Sequence, residues 1–326
     1  MIELWRGGIL ESVHSGHAVI CDDRGEIVEA WGDPDAVIFP RSSCKMIQAL
    51  PLIESGAADA AGLDERRLAL ACASHNGAAI HTEPVARWLA DLNLGDADLR
   101  CGPQMPDDLP ARRELICSDN APCQLHNNCS GKHAGFLTLT RHLNAGPEYV
   151  ELDHPVQQAV RAAFEDVTAL GSPGHGIDGC SAPNFATTVH GLARAMAFFA
   201  VADPEGPRRE RAAARLTRAM TAFPELVAGE GRACTALMRA TGGKVAVKTG
   251  AEAVFVAILP SLRRGVAVKI ADGATRASEA AITALLMRSS VLDPGDPVVE
   301  RYLTGPILSR RGFVAGEMKL ASGFAA

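Results

Sequence analysis

Strand-forming runs stand at both ends of this chain, with a long stretch of helical periodicity between them, and no other feature limits the fold as much. His17-Ala18-Val19-Ile20-Cys21 and Glu26-Ile27-Val28-Glu29-Ala30-Trp31 are β-rich and are joined by Asp22-Asp23-Arg24-Gly25, a hairpin signal. Past Gly243 three similar runs, 244–248, 253–258 and 265–270, follow one another through short links, which predicts an antiparallel meander. A helix is predicted from Ala274 to about Met287, and a last strand from Phe313 to Leu320. Ser42 opens a predicted helix that Pro51 should kink or end. Between Glu65 and Thr241 apolar residues recur at helical spacing: Val85, Trp88, Leu89 and Leu92 behind Thr82-Glu83-Pro84, then Val156, Val160 and Phe164 behind His154-Pro155. Pro183 and Pro207 read as two further helix starts, and residues 93–123, rich in Pro, Asp and Gly, as an irregular connection. The expected architecture is α/β in the α+β sense. An antiparallel sheet formed from both chain ends and flanked by helices (residues 1–64 and 242–326) receives an inserted, mostly α-helical domain (65–241).

Composition excludes several function classes. With 326 residues, 47% of them hydrophobic and 21% charged, the chain can bury a substantial core. A net charge of -6 and the lack of a sustained basic run speak against nucleic acid or an anionic membrane as partner. The longest apolar run, Ala195 to Ala202, falls far short of the ~20 residues that a membrane span needs. The first residues lack the apolar segment of an export signal, and nine cysteines, an odd number, then predict reduced thiols in the cytoplasm.

Ser42-Ser43-Cys44-Lys45, Ser74-His75-Asn76 and Lys248-Thr249-Gly250 occur in that order and have the forms Ser-x-x-Lys, Ser-x-Asn and Lys-Thr-Gly of serine-acylating sites. Alone, each has a plainer explanation: a capped helix start, the polar end of the apolar run 68–73, and the end of a strand. Together they point to acyl transfer. A serine three residues before a lysine at a helix start shares a face with it, which favours Ser42 over Ser43 as nucleophile. The unpaired N–H groups of the helix start help to hold an oxyanion. For Lys45 to accept a proton it must be neutral, although a free lysine titrates near ~10.4. Burial and a second cation, Lys248, act in that direction. Ser74, polarised by Lys248, would relay a proton to the leaving amine.

The chain resembles the class 3, rhizobial-type L-asparaginases, whose fold is that of the serine β-lactamases and bacterial glutaminases. The likeness runs over nearly the whole length. It is carried by Pro40-Arg41-Ser42-Ser43-Cys44-Lys45, Ala73-Ser74-His75-Asn76-Gly77, Asn128-Cys129-Ser130-Gly131-Lys132-His133-Ala134-Gly135, Gly176-Ile177-Asp178-Gly179-Cys180 and Lys248-Thr249-Gly250-Ala251-Glu252. The resemblance implies hydrolysis of L-asparagine to L-aspartate and ammonia in a homodimer, with Ser42–Lys45 and Ser74–Lys248 as two Ser-Lys pairs. Arg41, Asn76 and Asp178 are assigned to substrate binding. The resemblance also implies a zinc (Zn2+) site at Cys129, Lys132 and Cys180, with Asp178 orienting it and His133 as a neighbour. Cys129 and Lys132 share a face of a helix opening near Ser130, and such an N-terminus favours thiolate. Cys180, in a Gly-flanked turn, can supply a second sulfur, while the lysine must lose a proton to ligate. Three protein ligands leave a position open for water or substrate. Cys21, Cys44, Cys72 and Cys234 read as small core residues, and Cys101, Cys117 and Cys123 receive no role. Gly131-Lys132 is not a phosphate loop, since positions 126 and 133 are both His.

The expected protein is an L-asparaginase with an acyl-enzyme at Ser42. Two alternatives stand beside it: a penicillin-recognising serine hydrolase or peptidase of the same fold, and a non-catalytic zinc-binding protein. The residues do not choose between asparagine and glutamine, because one methylene is worth only ~1–3 kcal/mol in a pocket.

Overall fold

The computed structural model describes residues 1–325, which fall into two compact units. One comprises residues 1–43, 188–201 and the chain from 236 onward; the other comprises 44–187 and 202–235. Residues 44–64, grouped by sequence with the sheet, go with the helices, where Met46, Ile47, Leu50 and Leu52 are buried.

The first unit contains two antiparallel sheets where one was expected. Four strands run in the order Pro306–Leu308, Val314–Leu320, Ile2–Arg6, Ile9–His14. Five more run in the order Ile27–Trp31, Gly16–Cys21, Arg264–Ile270, Val254–Leu259, Ala246–Gly250. Both chain ends contribute to each sheet, as Ile2 pairs with Leu320 and Val19 with Ala267. The break between the sheets lies at Ser15, which sits between Ile9–His14 and Gly16–Cys21 and accepts the N–H of Ala271 at 2.8 Å instead of a ladder bond.

Local chemistry explains the pairing. The hairpin at Asp22–Gly25 forms as expected: Gly25 takes φ 78°, and Asp22 Oδ1 accepts the N–H groups of Arg24 and Glu26. Val254–Leu259 is buried at every position, as a strand covered on both faces must be. The covering helices are Val189–Val201 and Thr275–Arg288. Gly265 makes this possible, because a Cβ there would sit 2.2 Å from Ala193 O and 2.1 Å from Ala197 N.

The second unit is helical around Ser130–His142, whose residues from Ser130 to Thr140 are all buried. Glu65–Ala71, started by Asp64 Oδ1 accepting the N–H of Arg67, packs against it. The contact is close because position 131 is glycine, where a Cβ would lie 2.3 Å from Leu70 O. Pro155–Thr168 and Arg208–Ala222 start as expected, whereas Pro84 lies inside a helix that begins at Ala79. Pro183 opens a strand of the short hairpin His175–Ile177/Pro183–Phe185, not a helix, and the connection 93–123 contains a helix, Leu109–Cys117, with no buried residue. Among the described residues no helix is long and apolar enough to cross a membrane.

Candidate active site

The stretch Arg41–Cys44 is a 3₁₀ turn, followed by the α-helix Lys45–Gln48 and, after a break at Ala49, by Leu50–Glu54 with Pro51 in its first turn. Ser43 is fully buried and its hydroxyl donates to Pro40 O at 2.7 Å, whereas Ser42 is half-buried. Gly250 closes the Lys-Thr-Gly strand against this turn: a Cβ at 250 would lie 2.5 Å from Pro40 O and 3.1 Å from Ser43 N. The turn that carries Ser42 and Ser43 therefore meets the third motif within one unit, and only glycine permits the approach. Lys248 is fully buried on that strand, and its Nζ donates to Thr249 O at 3.0 Å. Arg41 stands in the turn with φ 53°, and its charge acts on Lys269, whose amine burial has already pushed down.

In the helical unit Lys45 is fully buried and its Nζ donates to Ala73 O and, at 2.9 Å, to Ser74 Oγ. The helix Glu65–Ala71 ends before Ser74, so the second motif lies in irregular chain. Ser74 N–H donates to Val227 O, and His75 N–H to Asn128 O. His75 completes the junction. Its Nδ1 accepts the N–H of Gly77, its Nε2 lies 2.9 Å from Ser130 Oγ, and its ring stacks on His81 with centroids 4.8 Å apart. Burial holds both imidazoles below the usual histidine range. Asn76 Oδ1 accepts the N–H of Ala78, and its amide lies against Gly229, where a Cβ would come within 2.6 Å of it.

The second and third sequence blocks are thereby laced together, and Cys129 lies one residue from the serine that His75 holds. Cys129 caps the helix Ser130–His142, and Lys132 Nζ lies 3.0 Å from the sulfur of Cys180. Cys180 stands in a turn made by Asp178, whose carbonyl accepts the N–H of Ser181 and whose carboxylate accepts that of Gly179. The Cys129 thiol donates to Asn128 Oδ1 at 2.9 Å. The Cys180 thiol is driven well below its ordinary range by Cys129 and, despite burial, by Lys132 and His133. Cys180, together with burial, pushes Cys129 well up. Burial works against the Lys132 ammonium, but the two sulfurs and Asp178 outweigh it and move it upward. Among the described residues no group of three or more His, Cys, Asp and Glu side chains is placed to hold a metal, so a metal here must recruit another donor type. An amine and a sulfur meet here, beside a buried His133 Nε2 that has no hydrogen-bond partner. Sulfur and amine are donors of the kind Zn2+ takes, once the thiol and the ammonium have lost their protons. Cys44, by contrast, is a core thiol that burial pushes up to about 12.

Sequence reasoning missed the loop Gly229-Glu230-Gly231-Arg232, which lies beside Asn76 and is pinned by Thr235 Oγ1 donating to Gly229 O at 2.7 Å. Its glycines take φ 118° and 79°, and that Gly-x-Gly pattern between two helices was the available signal. Tyr149 and Arg100, bonded in sequence to His133, also carried no motif.

No curated protein matches the chain. Among solved structures it is similar to Mglu, at 16% identity and TM-score 0.46 over 87% of this chain and 69% of that one. The native form of Mglu gives 15% and 0.44 over 86% and 65%, so the chain spans about two thirds of the length of that protein. A beta-lactamase from Mycobacterium bovis is similar at 13% and 0.45 over 85% of this chain and 95% of that one. Residues 2–320 match the L-asparaginase II family, and with nearly its whole length inside that match the chain belongs to this family of amidohydrolases.

Proposed function

We propose that the chain hydrolyses the side-chain amide of L-asparagine to L-aspartate and ammonia. Ser42 attacks the amide carbon and Lys45 takes its proton. Ser74 with Lys248 delivers a proton to the departing ammonia, and water then opens the ester by the reverse path. Backbone N–H groups at Ser42 and near Ala251 hold the oxyanion. The observation that carries this reading is the buried Lys45 amine held 2.9 Å from the Ser74 hydroxyl, since a hydroxyl bonded to a buried amine is the element a proton relay needs. Arg41, Asn76 and Asp178 orient the amino acid. Cys129, Lys132 and Cys180 would hold Zn2+, which supplies positive charge for the head group of the substrate. A homodimer in the cytoplasm belongs to the same reading.

Ammonia release from asparagine, glutamine and their analogues tests it. Ser42→Ala should lower kcat by about 10⁴-fold or more, while Ser43→Ala should largely spare turnover. Equal losses in the two variants would move the nucleophile. Acylation of Ser42 by a labelled penicillin, without ammonia release, would favour the penicillin-recognising alternative. Bound zinc without turnover of any amide would leave only a binding protein.

A further inference from the structure

The helix Arg208–Ala222 carries Arg208, Arg211, Arg215 and Arg218, and steps of three, four and three residues put them on one face. That face lines a cleft of about 450 Å³, the size of a small-molecule site, which Glu54 and Asp59 also line. Part of this charge is matched within the chain. Arg215 Nη1 lies 2.6 Å from Asp59 Oδ1, Arg218 Nε lies 2.6 Å from Glu65 Oε1, and Glu54 is taken by Arg209. Arg208 and Arg211 are different: both are exposed, and among the described residues neither pairs with a carboxylate. Arg211 Nη1 donates to Gly206 O at 2.7 Å, which leaves its other N–H groups for solvent or a ligand. Glu205 lines the same cleft, is exposed, and likewise forms no ion pair among the described residues. Its loop is held by Asp203, whose Oδ1 accepts the N–H of Glu205 at 2.9 Å and whose own N–H donates to Glu210 Oε2 at 3.1 Å. Pro204 and Pro207 restrict that loop further.

Unneutralised like charges three residues apart on a helix repel each other, so Arg208 and Arg211 cost stability where they stand. We propose that this cleft binds a small dicarboxylic amino acid such as L-aspartate, with Arg208 and Arg211 taking the two carboxylates and Glu205 the ammonium group. The unmatched charges of the cleft, two positive and one negative, are the reverse of those on such a ligand. A guanidinium presents paired N–H donors in the plane that a carboxylate fits. A phosphate would satisfy the two cations but set Glu205 against an anion, and like charges so placed work against binding. Recognition of this kind does not depend on the proposed hydrolysis, and none of the cleft residues belongs to the site around Lys45 and Ser74. The arginine helix nevertheless packs on Leu50–Glu54, which follows the segment that holds Lys45, and on Glu65–Ala71, which leads to Ser74.

Calorimetric titration of the full chain with L-aspartate at low ionic strength, where such contacts are least screened, tests the assignment. Arg208→Gln combined with Arg211→Gln should weaken one binding event by about 10–100-fold, without lowering the melting temperature. Glu205→Gln should weaken L-aspartate at that event by about tenfold and leave succinate, which lacks the ammonium group, unchanged. A crystal soaked in L-aspartate should show it between Glu205 and the two arginines. If the wild-type chain does not bind L-aspartate, or the arginine variant binds it equally well, the proposal is overturned. It is overturned as well if inorganic phosphate or succinate binds there as tightly as L-aspartate and Glu205→Gln changes nothing, since the cleft would then be a general anion patch. Ammonia release from asparagine is a separate readout, whose absence would end the proposed hydrolysis and leave the calorimetric result standing.

Discussion

Lys45 is a fully buried lysine whose partners are a carbonyl and a hydroxyl, and among the described residues it forms no ion pair. A lysine kept for structure is normally matched by a carboxylate. Lys45→Met keeps the length of the side chain and removes the amine. It should lower ammonia release by about 10²–10⁴-fold while the fold survives thermal melting. Turnover within tenfold of wild type would end its role as a proton carrier. At this scale the sequence speaks only through residue types at a fixed spacing, which is what made Ser42 and Lys45 candidates. It was silent on His75, which fills the variable place in Ser-x-Asn. That histidine matters because the chain brings Ser130, 55 positions away, to its Nε2, and no local pattern encodes such a meeting. Tyr149 and Arg100 were hidden for the same reason.

The crossing of Glu65–Ala71 and Ser130–His142 sets the distance between Ser74 and Cys129, and Gly131 sets the crossing. In a helix interior alanine would ordinarily gain about 1 kcal/mol over glycine. Gly131→Ala should nevertheless destabilise by about 1–3 kcal/mol, because its Cβ would meet the Leu70 carbonyl at 2.3 Å. Activity should fall with it. Gly146→Ala, which meets nothing within 4 Å, should stay within about 0.5 kcal/mol in urea unfolding. Similar behaviour of the two variants would refute the packing argument. Elements with strong periodicity, such as the meander and Thr275–Arg288, were legible in sequence. Pro183 was misread because proline begins strands as readily as helices. The helix Leu109–Cys117 was missed because it buries none of its residues and so carries no apolar stripe.

Stability of the whole molecule should depend on pH through the stacked pair His75 and His81. Burial lowers both below 6.5, so as pH falls through 6.5 the unfolded chain takes up protons that the folded chain refuses. Their contribution is complete above that value and is lost below it, by up to about 1.4 kcal/mol per pH unit for each ring. Urea midpoints between pH 6.5 and 5 should therefore fall more steeply for wild type than for His81→Gln, and equal slopes would contradict the assignment. Sequence placed strands at both termini and helices between, but it could not divide them into two sheets, since that division depends on which distant edge each strand finds. Gly16–Cys21 lies between Ile27–Trp31 and Arg264–Ile270. During synthesis this strand waits with one edge bare until the ribosome has released residue 270, whereas every residue of the helical unit has emerged by position 235. Vectorial translation thus delivers every residue of the helical unit before the sheet can close, with apolar Val19 and Ile20 in need of shelter until the last third of the chain arrives.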